Sequence, residues 1–126
     1  MIIQVIGLPA IGKSTLIKKY LKKYNNKVEH VDIRDFPYPK REEKLLEYVS
    51  KDNKKYIIES ACGIQIDSSI VILLNKSDYF HQKQMIQRGE IYNENELWQI
   101  KDQMIAADYT LCNFNYFDNI MNYYLN

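Results

Sequence analysis

The stretch Gly7-Leu8-Pro9-Ala10-Ile11-Gly12-Lys13-Ser14-Thr15 constrains this chain more than any other. It spells G-x-x-x-x-G-K-[ST], and its surroundings suit the pattern. The apolar run Ile2-Ile3-Gln4-Val5-Ile6 reads as a buried strand before it, and residues 14–24 read as an amphipathic helix after it. Strand, glycine loop and helix in that order turn backbone N–H groups towards an anion at the positive end of a helix dipole. Gly7 and Gly12 allow the tight turn with no Cβ in the way. Lys13 adds a mobile charge that can follow β- and γ-phosphates, and Ser14 offers a hydroxyl to Mg²⁺. The expectation is a phosphate-binding (Walker A) loop in which Gly7, Ala10, Ile11, Gly12, Lys13, Ser14 and Thr15 hold a nucleotide. A dinucleotide G-x-G-x-x-G reading fails, because the two glycines are spaced wrongly for it.

The rest of the composition narrows the partners. A chain of 126 residues with formal charge +1 is large enough for one continuous core and has no global field favouring nucleic acid or an anionic membrane. Residues 1–126 therefore read as a single domain. Arg34, Arg41 and Arg88 are the only arginines, so each is a candidate for work that needs a rigid guanidinium. Cys62 and Cys112 stand far apart with no C-x-x-C, which fits a reduced, cytoplasmic setting and not a zinc site. No apolar run is long enough to span a bilayer, and the first strand begins next to Met1, leaving no room for a targeting peptide before it.

In chain order, the first helix carries Leu16, Ile17, Tyr20, Leu21 and Tyr24 on one face, with Lys18, Lys19, Lys22 and Lys23 opposite as a solvated face. Asn25-Asn26 is a turn signal. Residues 27–33 read as a second strand, with Asp32, Arg34 and Asp35 clustered at its carboxyl end, the end that faces the ligand crevice of an open parallel sheet. Pro37 and Pro39 extend the next loop, and a helix over 40–50 turns Leu45, Leu46 and Val49 inward. Asp52-Asn53 leads into a third strand, 55–59, whose last residue, Glu59, sits where a Walker B acid would sit. Cys62, in the loop that follows, reads as a small buried hydrophobe. Residues 69–74 form a buried fourth strand. Ser77 or Asp78 caps the next helix, Gly89 ends it, and His81, Gln84 and Arg88 share one of its faces. Asn93 with Glu96 starts another helix, with Leu97, Ile100, Met104 and Ile105 as its apolar face. Residues 108–112 make a short fifth strand, and Tyr116, Phe117, Ile120, Met121 and Tyr124 the inner face of a last helix. Strands alternating with helices over short loops argue a parallel sheet wrapped by helices.

Three stretches make the whole chain resemble the small P-loop kinases: adenylate kinase, dephospho-CoA kinase and the kinase domain of polynucleotide kinase. They are the loop over 7–15, the acidic segment Val31-Asp32-Ile33-Arg34-Asp35-Phe36, and Ala107-Asp108-Tyr109-Thr110-Leu111-Cys112-Asn113. The acidic segment is similar to the one in which an Asp of such kinases accepts the proton of the acceptor hydroxyl. The Ala107–Asn113 stretch is similar to the closing strand of dephospho-CoA kinase-like enzymes, whose following loop packs against adenine. The resemblance implies an α/β fold of three layers, a five-stranded parallel sheet of order 2-3-1-4-5 with helices on both faces, and an arginine-bearing lid over about 76–96. Arg88 lies in that region, with Lys83 as a second point charge.

The chemistry expected is transfer of the γ-phosphoryl of Mg-ATP to a small acceptor, a nucleotide, nucleoside or related metabolite. Such transfer needs positioning and charge neutralisation more than covalent help. Lys13, Asp35 and Arg88 are the expected catalytic residues, Asp35 (Asp32 second) orienting the acceptor hydroxyl. Ser14, Asp32 and Glu59 are the expected Mg²⁺ ligands, and Asn113 the expected contact near the base. Two other readings stay open: a polynucleotide 5′-kinase, and a non-catalytic nucleotide-binding module or slow ATPase or GTPase regulating a partner. Asn75-Lys76-Ser77-Asp78 matches the N-K-x-D guanine signature, but no D-x-x-G follows the third strand, and Ser77-Asp78 reads more simply as a helix cap.

Overall fold

A computed structural model of the chain describes residues 1–24, 27–50 and 53–126. The Asn25-Asn26 turn, and Asp52 of the Asp52-Asn53 turn, lie outside the described residues. Five strands, β1 (Ile2–Ile6), β2 (Val28–Asp32), β3 (Lys55–Ser60), β4 (Ile70–Leu74) and β5 (Tyr109–Leu111), form one sheet of order β2-β3-β1-β4-β5. All neighbours pair in parallel. This is the order that the kinase resemblance implies. The helices are α1 (Lys13–Tyr24), α2 (Arg41–Tyr48), α3 (Asp78–Gln87), α4 (Glu94–Gln103) and α5 (Phe117–Leu125).

The period of two along each strand sends alternate side chains to opposite layers. Ile3, Val5, Ile57 and Ile72 pack with Ile17 and Tyr20 of α1 and Phe117, Met121 and Leu125 of α5. Tyr56, Ile58 and Val31 face the other way, onto Leu45 and Val49 of α2. A third, smaller cluster joins Leu8 of the glycine loop to Met85 of α3 and Leu97 of α4, so these two helices rest directly on the loop. Gln4 is the polar residue inside the β1 run. It is fully buried and tied on both ends: Nε2 donates to Ile64 O (2.7 Å) and Ser69 Oγ (3.0 Å), and Oε1 accepts from Ile64 N (2.9 Å). A buried amide that satisfies its partners fixes the loop after β3 against the central strand.

Several inward assignments change. Leu46 is half-exposed, because Leu45 and Val49, four apart, take the inner face of α2 and an adjacent residue points about a quarter-turn away. Tyr116 precedes α5 in a 3₁₀ turn (Phe114–Tyr116) and is exposed, so Phe117, Met121 and Leu125 form the inner stripe with Ile120 and Tyr124 at its edge. Helix α4 stops at Gln103, and Ile105 lies beyond it, its N–H bonded to Cys62 O (2.9 Å). The caps hold as the sequence implies. Ser77 Oγ accepts from Phe80 N, and Asn93 Oδ1 from Glu96 N. Gly89, at φ +73°, ends α3 with N–H bonds from Gly89 to Ile86 O and from Glu90 to Met85 O, the Schellman pattern.

Candidate functional site

Strand β1 lies between β3 and β4, so the chain leaves its carboxyl end at the point where the sheet order reverses, the usual ligand position in such sheets. The loop over 7–12 turns there into α1. Gly7 is required by crowding: a Cβ would lie 2.9 Å from Leu74 O and 3.0 Å from Ile11 Cγ2. Gly12 is required by its backbone, at φ +104°. Lys13 opens α1, and its Nζ donates to the carbonyl oxygens of Gly7 (2.6 Å) and Leu8 (3.0 Å), across the mouth of the loop. Burial lowers its pKa to about 8, with the Arg34 guanidinium adding to the shift and the carboxylates of Glu59 and Asp32 opposing it.

A cleft of about 530 Å³ opens beside this loop. One wall is Ala10, Gly12, Lys13, Ser14 and Thr15. The other is built by the carboxyl ends of β2 and β3 and the start of α2, which supply Asp32, Arg34, Glu59, Ser60 and Arg41. Gln84, Gln87 and Arg88 of α3 and the residue after it, with Glu90, form the side under the expected lid.

The carboxylates of the cleft are all engaged. Asp32 accepts from Arg34 through both oxygens (Nη2 to Oδ2 2.7 Å, Nε to Oδ1 3.1 Å) and also from the Arg34 backbone N–H (2.9 Å). The Arg34 guanidinium holds its carboxyl below the usual carboxylate range, so Asp32 is ionised at neutral pH. Glu59 is buried and accepts from His30 Nε2 at 2.8 Å. Arg88 and Glu90 form a looser pair, Nε to Oε1 3.6 Å.

Lys13, Ser14, Asp32, Glu59 and Arg88, expected from widely separated stretches, are therefore on one cleft. Asp35 is exposed on the 3₁₀ turn Ile33–Asp35 and stands outside the lining, whereas Asp32, the second choice for the acceptor, faces in. The reason is the short turn, which carries the chain away from the sheet end immediately after Asp32. Ile11 is buried in the core and Gly7 lies beneath the loop, so they shape the cradle without lining the cleft. Asn113 is exposed and caps the 3₁₀ turn of 114–116, its Oδ1 accepting from Asn115 N (3.0 Å). Lys83 is exposed and also outside the cleft lining. Asp78 opens α3, its carboxylate 3.7 Å from Lys101 Nζ, and Lys76 Nζ stands 4.0 and 4.5 Å from the Phe80 and Phe114 ring centres.

Two contributions escape sequence reasoning. His30 carries no motif, yet it lies two residues before Asp32 and so on the same strand face, next to the strand that ends beside Glu59. His81 is buried, with Nε2–H donated to Pro9 O at 2.6 Å, tying α3 to the glycine loop. Only the helical spacing His81, Gln84, Arg88 hints that this face meets the loop. Cys62 is half-buried, with its thiol pushed up by burial and 3.5 Å from Ile100 O, which is not the setting of a reactive thiolate. No helix is long and apolar enough to cross a membrane among the described residues.

The fold is that of the P-loop kinases. A sugar kinase from Janibacter superposes with a TM-score of 0.62 at 12% identity, over 87% of this chain and 82% of that one. Shikimate kinase from Aquifex aeolicus gives 0.57 at 17% identity, over 88% and 85%. A gluconokinase from Sinorhizobium meliloti gives 0.56 at 12% identity, over 82% and 74%. The sequence matches no protein-family model and no curated protein.

Proposed function

We propose that this chain is an ATP-dependent phosphotransferase that moves the γ-phosphoryl of Mg-ATP to a hydroxyl of a small acceptor. One observation carries the reading: the glycine loop and the acidic ends of β2 and β3 are opposite walls of a single cleft. The similar structures, each named as a kinase of a small molecule, support it at the level of fold.

The donor side has the cradle that phosphates need. A loop that a Cβ at Gly7 would fill, a left-handed Gly12 and a cationic Lys13 are fitted to an anion. The β- and γ-phosphates take the place of the Gly7 and Leu8 carbonyls as partners of Lys13. That exchange supplies fresh negative charge to an ammonium held at a depressed pKa. Mg²⁺ suits the donors present. It keeps waters and phosphate oxygens and asks the protein for one or two groups, here Ser14 with Asp32 or Glu59. Among the described residues no group of three or more His, Cys, Asp or Glu forms an all-protein cage, and Mg²⁺ of this kind needs none. When bound, it neutralises charge on the transferring phosphoryl.

On the acceptor side Asp32 takes the role first expected of Asp35. Its Arg34 partner keeps it ionised and fixed, so it orients the acceptor hydroxyl and receives its proton late, which a loose phosphoryl transition state tolerates. Arg88 reaches the phosphoryl from the α3 side, exchanging its loose pairing with Glu90 for the stronger transferring charge. The 76–96 segment acts as the cover, hinged where His81 holds α3 to Pro9. The site operates in the cytoplasm with ATP and a small molecule as partners.

The test is ADP release from Mg-ATP with panels of sugars, hydroxy acids, nucleosides, nucleoside monophosphates and 5′-hydroxyl oligonucleotides. Acceptor-stimulated release that disappears in Asp32→Asn supports the kinase. Tight ATP binding with no stimulation by any acceptor overturns it in favour of a nucleotide-binding module. Stimulation by oligonucleotides alone moves the reading to a polynucleotide kinase.

A further inference from the structure

The positive charge of the chain is not spread evenly. Residues 1–28 carry six lysines and no Asp or Glu, although the whole chain stands at +1. Four of the six, Lys18, Lys19, Lys22 and Lys23, are exposed on α1. Lys18 with Lys22, and Lys19 with Lys23, form two parallel rows along the helix, each step about 6 Å. Like charges at that spacing disfavour a helix, and α1 contains no acidic residue to offset them. Among the described residues Lys23 alone of the four is paired with a carboxylate, Asp118 at 3.6 Å. The helix dipole favours Lys22 and Lys23 in the last turn, but not Lys18 and Lys19 before it.

Beside these rows runs a groove of about 500 Å³ between α1 and the segment after β5. Lys19 and Lys23 line one bank; Phe114, Asn115 and Asp118 line the other. The banks are tied together, since Tyr20 OH of α1 donates to Asn122 Oδ1 of α5 at 2.7 Å. Ammonium groups on one bank, and an aromatic face with an amide on the other, match a phosphate and its base. The groove uses two of the four lysines, and Lys18 and Lys22 stand outside its lining. A mononucleotide would leave those two idle, whereas a strand runs along both rows. A duplex keeps its bases stacked inside and has none to place in the groove. A bilayer is entered by apolar side chains, and the exposed Ile86, Ile91 and Trp98 belong to the α3–α4 segment, not to α1 or α5.

We propose that the α1–α5 face binds single-stranded nucleic acid, its phosphates along Lys18, Lys19, Lys22 and Lys23 and one base in the groove against Phe114. The groove and the catalytic cleft share no lining residue, so the inference does not rest on the phosphotransferase reading. Such a face would hold the chain on a strand while the cleft works on a small molecule.

The experiment measures binding without turnover. The whole protein, its cleft filled with Mg²⁺ and a non-hydrolysable ATP analogue, is titrated into fluorescein-labelled single strands of DNA and RNA of about twelve nucleotides, followed by anisotropy. A duplex of the same length, adenosine monophosphate and phosphatidylserine vesicles serve as competitors. The expected result is a single strand bound about tenfold or more tightly than the duplex, with a log–log salt slope of about −2 to −3 from three or four neutralised phosphates. Lys19→Gln with Lys22→Gln weakens binding and makes the slope shallower by about 1.4. Phe114→Leu, which keeps an apolar side chain but removes the ring, weakens binding about fivefold or more and leaves the slope unchanged. Folding of the variants is checked by circular dichroism and melting. No binding of either strand, binding lost once the analogue fills the cleft, or affinity and slope unchanged in the folded double lysine variant overturns the proposal. So does a duplex or a vesicle that binds as well as the single strand, and so does adenosine monophosphate competing at the strand's own affinity. Lysine-dependent strand binding without acceptor-stimulated ADP release upholds this face and overturns only the phosphotransferase reading.

Discussion

The two walls of the cleft are made in different ways. The donor wall is backbone: one local segment, 7–15, in which Gly7 and Gly12 let the chain close on itself and Lys13 reaches back to the carbonyls of Gly7 and Leu8. The acceptor wall is side chains: the pairing of β2 with β3 brings His30 to Glu59, and local bonds in the segment after β2 hold Arg34 to Asp32 and Arg41 to Phe36 O. A site made of backbone recognises what all nucleoside triphosphates share. A site made of side chains can be retuned one residue at a time, which is how one fold serves many acceptors. Changes to the donor wall should therefore damage every activity of the chain, and changes to the acceptor wall should alter which molecule is used.

The largest expected effect is on the donor wall. Lys13→Met removes the phosphate-following charge and lowers the rate of phosphoryl transfer by about 10³-fold or more, measured as acceptor-dependent ADP release. Equal loss with every acceptor fits the contrast, and a loss confined to one acceptor breaks it.

Next comes His30→Ala, which leaves the buried Glu59 carboxylate without its partner. Stability should fall by about 1–3 kcal/mol in chemical denaturation. A replacement that loses nothing would mean that Glu59 is solvated from the cleft and that this part of the wall is soft.

A pH series then separates the walls. The depressed Lys13 value means that the free protein loses the ammonium as pH rises through about 8, so ATP affinity falls above that pH while acceptor affinity does not follow it. The sign for stability is the reverse. The folded lysine binds fewer protons than the unfolded one between about 8 and the ordinary lysine value of 10.5, so this group makes folding more favourable as pH rises across that window. Isotope-detected titration of the lysine ammonium checks the value directly, and phosphate binding should raise it.

The smallest effect expected is at Asn113. Its Oδ1 caps a short 3₁₀ turn, so Asn113→Ala should cost about 1 kcal/mol or less of stability. If the residue also touches the base, ATP affinity falls with it; if ATP affinity is unchanged, its role is the cap alone.

The same division explains what is legible in the sequence. The donor loop and the caps at Ser77, Gly89 and Asn93 are local, and local patterns with fixed spacing carry their geometry with them. The strand order is not local and is legible only through the kinase resemblance. Asp32 and Glu59 are legible as strand ends, because parallel sheets gather such ends at the crevice. The choice between Asp35 and Asp32 is not, since a three-residue turn after β2 decides which carboxylate faces in. Nor is the His30–Glu59 bond, which joins residues 29 apart in sequence across two strands. Arg41 is legible only as one arginine among three; that it lines the cleft with its guanidinium over Tyr38 follows from how the chain enters α2. Leu46 is misplaced by the sequence pattern because adjacent apolar residues on a helix compete for one inner face, and Leu45 and Val49 together win it.

The most direct test of the central claim, that these two walls exchange a phosphoryl group, follows γ-labelled ATP. The account predicts label on an added acceptor, with acceptor turnover much faster than hydrolysis to inorganic phosphate, and loss of label transfer in both Lys13→Met and Asp32→Asn. Label appearing only as inorganic phosphate, at a rate that no acceptor changes and Asp32→Asn does not lower, would contradict it.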